Sequence, residues 1–326
     1  MKITLKRRRL SSSQIILLGF LGVIASGTIL LMLPWARAGA GSAPFLDALF
    51  TATSATCVTG LITNDTATYW SVFGQIVILC LIQVGGLGVI TVAIFITKLS
   101  GRKIGLMQRS TMQEAIAAPQ MGGIVRMTGF ILKMVVVIEA LGAAALLPAM
   151  IPEFGIVRGI WYAVFHSISS FCNAGFDLMG VKEPYSSLTS YTGDVAVNVI
   201  VMVLIVVGGI GFLTWDDVKR NRFHLRRYRM QSKVVLTVTA VLIVLPAVFF
   251  YWKEFGMPGW EDMSVGERIL ASFFQSVTTR TAGYNTVDLT QLTQSGQMIM
   301  ILLMLIGGSP RSTAGGKKVT TLDVLF

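Results

Sequence analysis

Charge is scarce in this chain. Of 326 residues, 13% are charged and 53% are hydrophobic. Soluble proteins carry about 25% charged residues, so the deficit excludes an ordinary globular exterior and points to a bilayer. Histidine is scarcer still, with only His166 and His224. Together with an isolated Glu139 they form no His cluster, no nucleophile–base set and no paired acids, the groups a membrane-embedded enzyme would need. The three cysteines, Cys57, Cys80 and Cys172, match no metal spacing and support no disulfide framework. Acids are outnumbered by bases, 16 to 27. The excess base flanks apolar runs and no soluble domain presents it, which argues against a nucleic-acid partner.

What the chain has in abundance is apolar runs near the roughly 20 residues that cross a bilayer. Ile15–Leu33 holds no charge and ends at Pro34-Trp35 without a small-x-small cleavage site, so it reads as a retained span. Basic clusters occur at Lys6–Arg9, Lys98–Arg109 and Lys219–Lys233, whereas Asp65, Glu153, Asp177, Glu183, Glu254, Glu261, Asp262 and Glu267 lie in other loops. The Lys/Arg bias puts the N-terminus and the basic loops on the cytoplasmic side of the cell membrane.

One stretch organises the chain. Phe50–Leu61 reads Phe-Thr-Ala-Thr-Ser-Ala-Thr-Cys-Val-Thr-Gly-Leu. It returns as Phe165–Phe176, Phe-His-Ser-Ile-Ser-Ser-Phe-Cys-Asn-Ala-Gly-Phe, and as Phe273–Tyr284, Phe-Phe-Gln-Ser-Val-Thr-Thr-Arg-Thr-Ala-Gly-Tyr. Each opens on Phe, has a Ser/Thr-rich middle and closes on glycine and an apolar or aromatic residue. Gly60, Gly175 and Gly283 recur at about 110 residues. Each stretch lies between two spans and is too short to cross, so it enters the membrane and returns.

The chain divides accordingly. Residues 1–13 are a basic cytoplasmic tail. Repeat one, 14–123, holds the first span, the half-crossing Pro44–Gly60, the span Tyr69–Lys98 and a cytoplasmic linker. Repeat two, 124–233, holds the span Ile124–Leu147, an external Pro148–Arg158, the half-crossing Gly159–Gly175, the span Val195–Trp215 and a basic loop. Repeat three, 234–326, holds the span Val234–Tyr251, an acidic external loop, the half-crossing Ile269–Gly283 and a last span from Met298 that is cut at Gly307–Gly316. The pattern predicts an all-α membrane protein with six spans, the last one broken. Gly85-Gly86-Leu87-Gly88 and Gly208-Gly209-Ile210-Gly211 mark where a neighbour comes close or a helix bends. Lys133 and Glu139 share a span on different faces, so each snorkels or pairs with another helix.

Non-helical backbone at membrane depth must be buried in protein or line a watery cavity. A glycine after a short helix lets the chain turn back, because it accepts positive φ. Carbonyl rings can replace the hydration shell of a monovalent cation, and helix C-termini favour cations. The residues before the glycines are Thr56, Cys57, Val58 and Thr59, then Phe171, Cys172, Asn173 and Ala174, then Thr279, Arg280, Thr281 and Ala282. None is a carboxylate, which disfavours a charged ring selecting divalent cations. Arg280 is expected to point behind its loop and pair with a carboxylate or carbonyls. His166 is expected to pack or hydrogen-bond, and Asn173 to brace through its amide.

These three motifs, with Gly-Gly-Ser-Pro-Arg-Ser-Thr-Ala-Gly-Gly after the third, resemble the pore loops of the Trk/Ktr/HKT potassium transporter superfamily. The closest likeness is to the bacterial Ktr membrane subunit, and it extends over essentially the whole chain. The resemblance implies span–pore loop–span repeats around one potassium-channel-like pore. It places the filter at Thr56, Cys57, Val58, Thr59, Gly60, Phe171, Cys172, Asn173, Ala174, Gly175, Arg280, Thr281, Ala282 and Gly283. Potassium would be held by backbone carbonyls near Cys57, Val58, Thr59, Cys172, Asn173, Ala174, Thr281 and Ala282. Glycine at position 60 goes with potassium permeation in this family, and serine there with sodium preference. The break at Gly307, Gly308, Ser309, Pro310, Ser312, Thr313, Ala314, Gly315 and Gly316 would be a gate. The resemblance further implies a homodimer in membrane lipid, a cytosolic ring of nucleotide-binding regulatory subunits, and sodium as an optional coupling ion; no covalent cofactor is implied. The family has four repeats and this chain three, so a fourth is expected from beyond Phe326 or from elsewhere. Broken helices also occur in secondary transporters of small organic solutes. That alternative predicts inverted repeats, whereas the order here is parallel.

Overall fold

A computed structural model describes residues 11–89, 91–92, 113, 124–222, 224–309 and 312–315. Among these the chain is helical, with no β-strand and one isolated bridge between Arg37 and Trp70. Helix α1 (Ser12–Leu31) opens with a capping box, Ser11 and Gln14 each binding the other's backbone N–H. Helix α2 (Phe45–Cys57) follows Pro44 and carries Asp47 in its first turn. At 13 residues it spans about 20 Å, short of the roughly 30 Å hydrocarbon layer. A single turn, α3 (Thr66–Tyr69), leads to α4 (Val72–Leu87). Then come α5 (Ile124–Phe154), α6 (Ile156–Phe171), α7 (Val195–Gly209), α8 (Phe212–Asn221), α9 (Met230–Phe249, continued by a π-turn to Glu254), α10 (Val265–Thr278) and α11 (Gln294–Leu305).

The short helices α2, α6 and α10 pack among the long ones. α2 lies against α1 and α4, α6 against α5 and α7, and α10 against α9 and α7. The main core joins all three repeats, with Ile78, Ile82, Phe165, Phe171, Phe176, Phe274 and Tyr284 among its buried members. Phe250, Phe255, Ala271 and Val287 form a smaller core in repeat three. Glu139 on α5 is tied to α4 by both of its oxygens, which accept from Gln83 Nε2 at 2.9 and 3.1 Å. Lys133 is exposed. The two therefore behave as the sequence suggested, one pairing and one reaching outward.

The structure corrects three expectations. First, the helix that opens repeat two does not end at Leu147, because α5 runs on through Pro148 and Pro152 to Phe154. Proline removes a helical donor, but packing overrides this. Leu146 and Met150 are fully buried, and a Cβ at Gly159 of α6 would lie 2.8 Å from Ile151 Cα and from the Met150 carbonyl oxygen. The chain reverses instead at Gly155, φ 78°. Second, residues 195–215 are not one straight span, since α7 and α8 meet at 97°. Third, three helices among the described residues are long and apolar enough to cross, or four if that bent pair is one span. The second span of each repeat is interrupted near its glycines, so α4 and α11, of 16 and 12 residues, fall short by themselves. Most of residues 90–123, the cytoplasmic linker among them, lies outside the described residues.

Candidate functional site

The short helices α2, α6 and α10 all lead into the same turn. Two residues before its glycine stands a non-glycine in the left-handed region: Val58 (φ 56°), Asn173 (φ 56°) and Thr281 (φ 63°). The glycines follow at φ 76°, 71° and 83° for Gly60, Gly175 and Gly283. Left-handed backbone costs roughly 1–2 kcal/mol for an ordinary residue. Asparagine tolerates it, and branched Val and Thr are genuine outliers. Such strain persists only where surroundings over-determine it, and here they do. The Ser54 hydroxyl donates to the Leu61 carbonyl at 2.6 Å, Ser169 to Phe176 at 2.7 Å and Thr278 to Tyr284 at 2.5 Å. That brace is the physical use of the Ser/Thr-rich middle of each motif. Tyr284 also donates to Ser169 Oγ at 2.6 Å, linking the third loop to the second.

The three turns converge. A Cβ at Gly60 would meet the Ala174 oxygen at 2.8 Å, and one at Gly175 would meet the Ala282 oxygen at 2.7 Å and Gly283 Cα at 3.0 Å. A Cβ at Gly283 would lie 3.9 Å from Gly60 Cα. The carbonyls of Ala174 and Ala282 thus face the glycine of a neighbouring loop. Both residues are buried, and among the described residues no hydrogen bond ends on either oxygen. Buried carbonyls are nearly always paired, so these two oxygens keep an unused acceptor where neighbouring loops meet. The second loop is enclosed, whereas Cys57, Thr59 and Gly283 are exposed.

The glycine pairs of α4 and α7 let these helices reach the turns. An added Cβ would come within 2.1 Å of the Thr56 oxygen at Gly85 and within 2.0 Å of the Phe171 oxygen at Gly208. Three residues on in both helices, Gly88 (φ 83°) and Gly211 (φ 86°) break the helix. Close approach and bending therefore occupy separate glycines of one motif.

The Gly-rich segment after α11 lies against the same turns. Ser309 N–H donates to the Gly209 carbonyl at 3.0 Å and Thr313 N–H to Gly208 at 3.3 Å. Thr313 Oγ1 is 3.0 Å from both the Phe171 oxygen and Asn173 Oδ1, and Gly315 N–H donates to Thr281 Oγ1 at 2.9 Å. Gly307, Gly308 and Ala314 complete the described part, with Gly308 N–H reaching the Gly315 carbonyl and Ser312 Oγ the Ser309 carbonyl. Pro310 and Gly316 lie outside the described residues.

Asn173 braces as expected, its amide donating to the Arg280 oxygen at 3.3 Å and the Ile205 oxygen at 3.5 Å. His166 is a packing residue: Nδ1 bonds the Tyr162 carbonyl at 2.7 Å and Nε2 accepts from Leu178 N–H at 3.3 Å. For Arg280 the expectation is corrected. Its side chain is buried, yet none of its three nitrogens has an acceptor among the described residues. Its backbone oxygen, not its guanidinium, makes the link. Sequence reading also missed Asp65, which caps α3 and accepts from Tyr185 N–H at 3.2 Å. The Asp-Thr-Ala-Thr capping pattern was the available signal. In the loop after Gly175, burial pushes the Asp177 carboxyl up to about 7; the Met179 N–H pulls it down and the neighbouring Asp65 charge pushes it up.

Residues 6–326 match the family profile TrkH, a cation transport protein. The chain belongs to the TrkH cation transport family. Members named among its relatives are ion transporters, not enzymes. It is 42% identical over 320 residues to the potassium/sodium uptake protein NtpJ of Enterococcus hirae, covering 98% of this chain and 70% of that one. It is 39% identical to the Ktr system potassium uptake protein B of Bacillus subtilis, again at 98% and 70%. The crystal structure of the potassium transporter TrkH from Vibrio parahaemolyticus matches with a TM-score of 0.71 at 19% identity, covering 98% of this chain. This chain spans 62% of that structure's length. The fold is therefore TrkH-like, and the apolar helices place the chain in a membrane.

Proposed function

We propose that this chain forms part of a potassium uptake pore in the cell membrane. Potassium is its cargo, held by the backbone carbonyls of the three loops, and the Gly-rich segment gates the path from the cytoplasmic side. The observation that carries this reading is the pair of unpaired, buried carbonyls of Ala174 and Ala282, each turned toward the glycine of a neighbouring loop. Relatives named for potassium and sodium uptake support it. The N-terminus is cytoplasmic, and the working assembly is a homodimer in lipid with a cytosolic ring of nucleotide-binding regulatory subunits, as the resemblance implies. Sodium is an optional coupling ion in this reading. Parallel repeats of the same turn disfavour a solute transporter built on inverted repeats.

The test is rubidium uptake into proteoliposomes with potassium, sodium and choline as competitors, run on the chain alone and joined to the C-terminal remainder of a relative. Inhibition by potassium and not choline, with Gly60→Ser shifting preference toward sodium, is expected. Uptake in neither form would overturn the reading.

A further inference from the structure

The three left-handed residues before the glycines differ in what their side chains can hold. Val58 is apolar and packs against α4, where a Cβ at Gly85 would lie 3.1 Å from its Cγ2. Asn173 and Thr281 are polar, and both hold the Gly-rich segment. Asn173 Oδ1 faces Thr313 Oγ1 at 3.0 Å, and Thr281 Oγ1 accepts from Gly315 N–H at 2.9 Å. The other end of the Asn173 amide donates to the Arg280 carbonyl, within the third loop. The amide orientation is settled by its partners, since two carbonyls on one side demand the NH2 group there. Asn173 therefore joins the second loop, the third loop and the Gly-rich segment through one planar group.

Thr313 adds a constraint. Its hydroxyl has one proton and two acceptors at equal distance, the Phe171 carbonyl and Asn173 Oδ1. The docked segment thus shares one donor between the end of α6 and the strained residue two positions beyond it. Moving the segment changes the hydrogen bonding of both. Thr281 is a branched residue held at φ 63°, a conformation kept only by its surroundings, and one of its partners is Gly315.

We propose that Asn173 and Thr281 are positioning residues that latch the Gly-rich segment to the second and third loops, so that undocking the segment and relaxing the filter are one event. This rests on the pore reading above. Gate position and ion preference then move together, because the residues that release the segment directly precede Ala174 and Ala282, whose carbonyls carry the pore reading.

The test uses Thr281→Val, which keeps the branched shape and loses the acceptor, and Thr313→Val, which loses the donor. Thr281→Ser retains the acceptor. Hydrogen exchange of the Thr313 and Gly315 amides is followed in lipid nanodiscs, and rubidium and sodium uptake are measured in proteoliposomes of the same proteins. Loss of one hydrogen bond is expected to speed exchange about fivefold in both valine variants. Thr281→Ser restores slow exchange, and the rubidium-to-sodium ratio shifts in the variants that exchange faster. Unchanged exchange in both valine variants would overturn the latch. Faster exchange with an unchanged ion ratio would overturn the coupling while leaving the pore reading intact. Absence of rubidium uptake by the unmutated protein, alone or joined to a relative's remainder, would overturn the pore reading and the coupling with it.

Discussion

Gly175→Ala tests the convergence of the loops most directly. Two separate terms act against it. Alanine at φ 71° costs roughly 1–2 kcal/mol relative to a residue in an ordinary basin. Its Cβ would lie 2.7 Å from the Ala282 oxygen and 3.0 Å from Gly283 Cα, about 0.7 Å inside van der Waals contact on the closer side. Both obstacles are backbone, so no side chain can swing away, and overpacking of this kind costs roughly 1–3 kcal/mol. The sum, roughly 2–5 kcal/mol, requires the second and third loops to separate or the turn to rearrange. Thermal unfolding in detergent reads the first consequence, and rubidium uptake, measured with the proteoliposome system above, reads the second. Gly22→Ala serves as the control, because a Cβ there meets nothing within 4 Å. Loss of several degrees in Tm together with loss of uptake is expected for Gly175→Ala alone. If Gly175→Ala matched Gly22→Ala in both assays, the loops could not be packed as described and the convergence would be refuted.

Three further outcomes are expected. Gly208→Ala drives a methyl to within 2.0 Å of the Phe171 oxygen and 2.8 Å of Thr313 Oγ1, so it should lower Tm and free the Gly-rich segment, seen as faster exchange at Thr313. Gln83→Leu removes both hydrogen bonds to the Glu139 carboxyl and should destabilise by about 1–3 kcal/mol; the double variant Gln83→Leu with Glu139→Leu should recover much of that, as a thermal-melt double-mutant cycle would reveal. Asp177 has its folded pKa raised from 3.8 to about 7, so its contribution to stability is fully present below about pH 4 and is lost as pH rises through 7. Melting temperature should therefore fall between about pH 4 and 7 and level off above, and Asp177→Asn should flatten that slope.

The loops were legible because their chemistry is local. A short apolar helix, hydroxyls in its last turns and a glycine at fixed spacing specify a turn wherever they occur, and the thrice-repeated pattern removed the ambiguity of any one copy. His166 and Asn173 also behaved as their residue types suggest. The ends of helices were less legible. Pro148 and Pro152 are helix breakers by propensity, and only the burial of Leu146 and Met150 against the core keeps α5 going. Likewise the run 195–215 is apolar enough to be one span, and nothing in its composition distinguishes Gly211, which bends the chain, from Gly208, which admits a neighbour's carbonyl. Both are glycines in one motif, and which does what depends on what stands opposite.

Hydropathy and turn chemistry are properties of short stretches, so the membrane setting, the helical class and the three glycine-closed turns could be read from the chain alone. Tertiary structure alone decided what those stretches face. It turned the Ala174 and Ala282 carbonyls toward a neighbour's glycine, left the Arg280 guanidinium without an acceptor among the described residues while engaging its carbonyl, and laid Thr313 and Gly315 against Asn173 and Thr281. Those pairings join residues more than 30 positions apart, and for Asn173 with Thr313 the separation is 140. Contacts at that distance follow from packing, which no local pattern encodes.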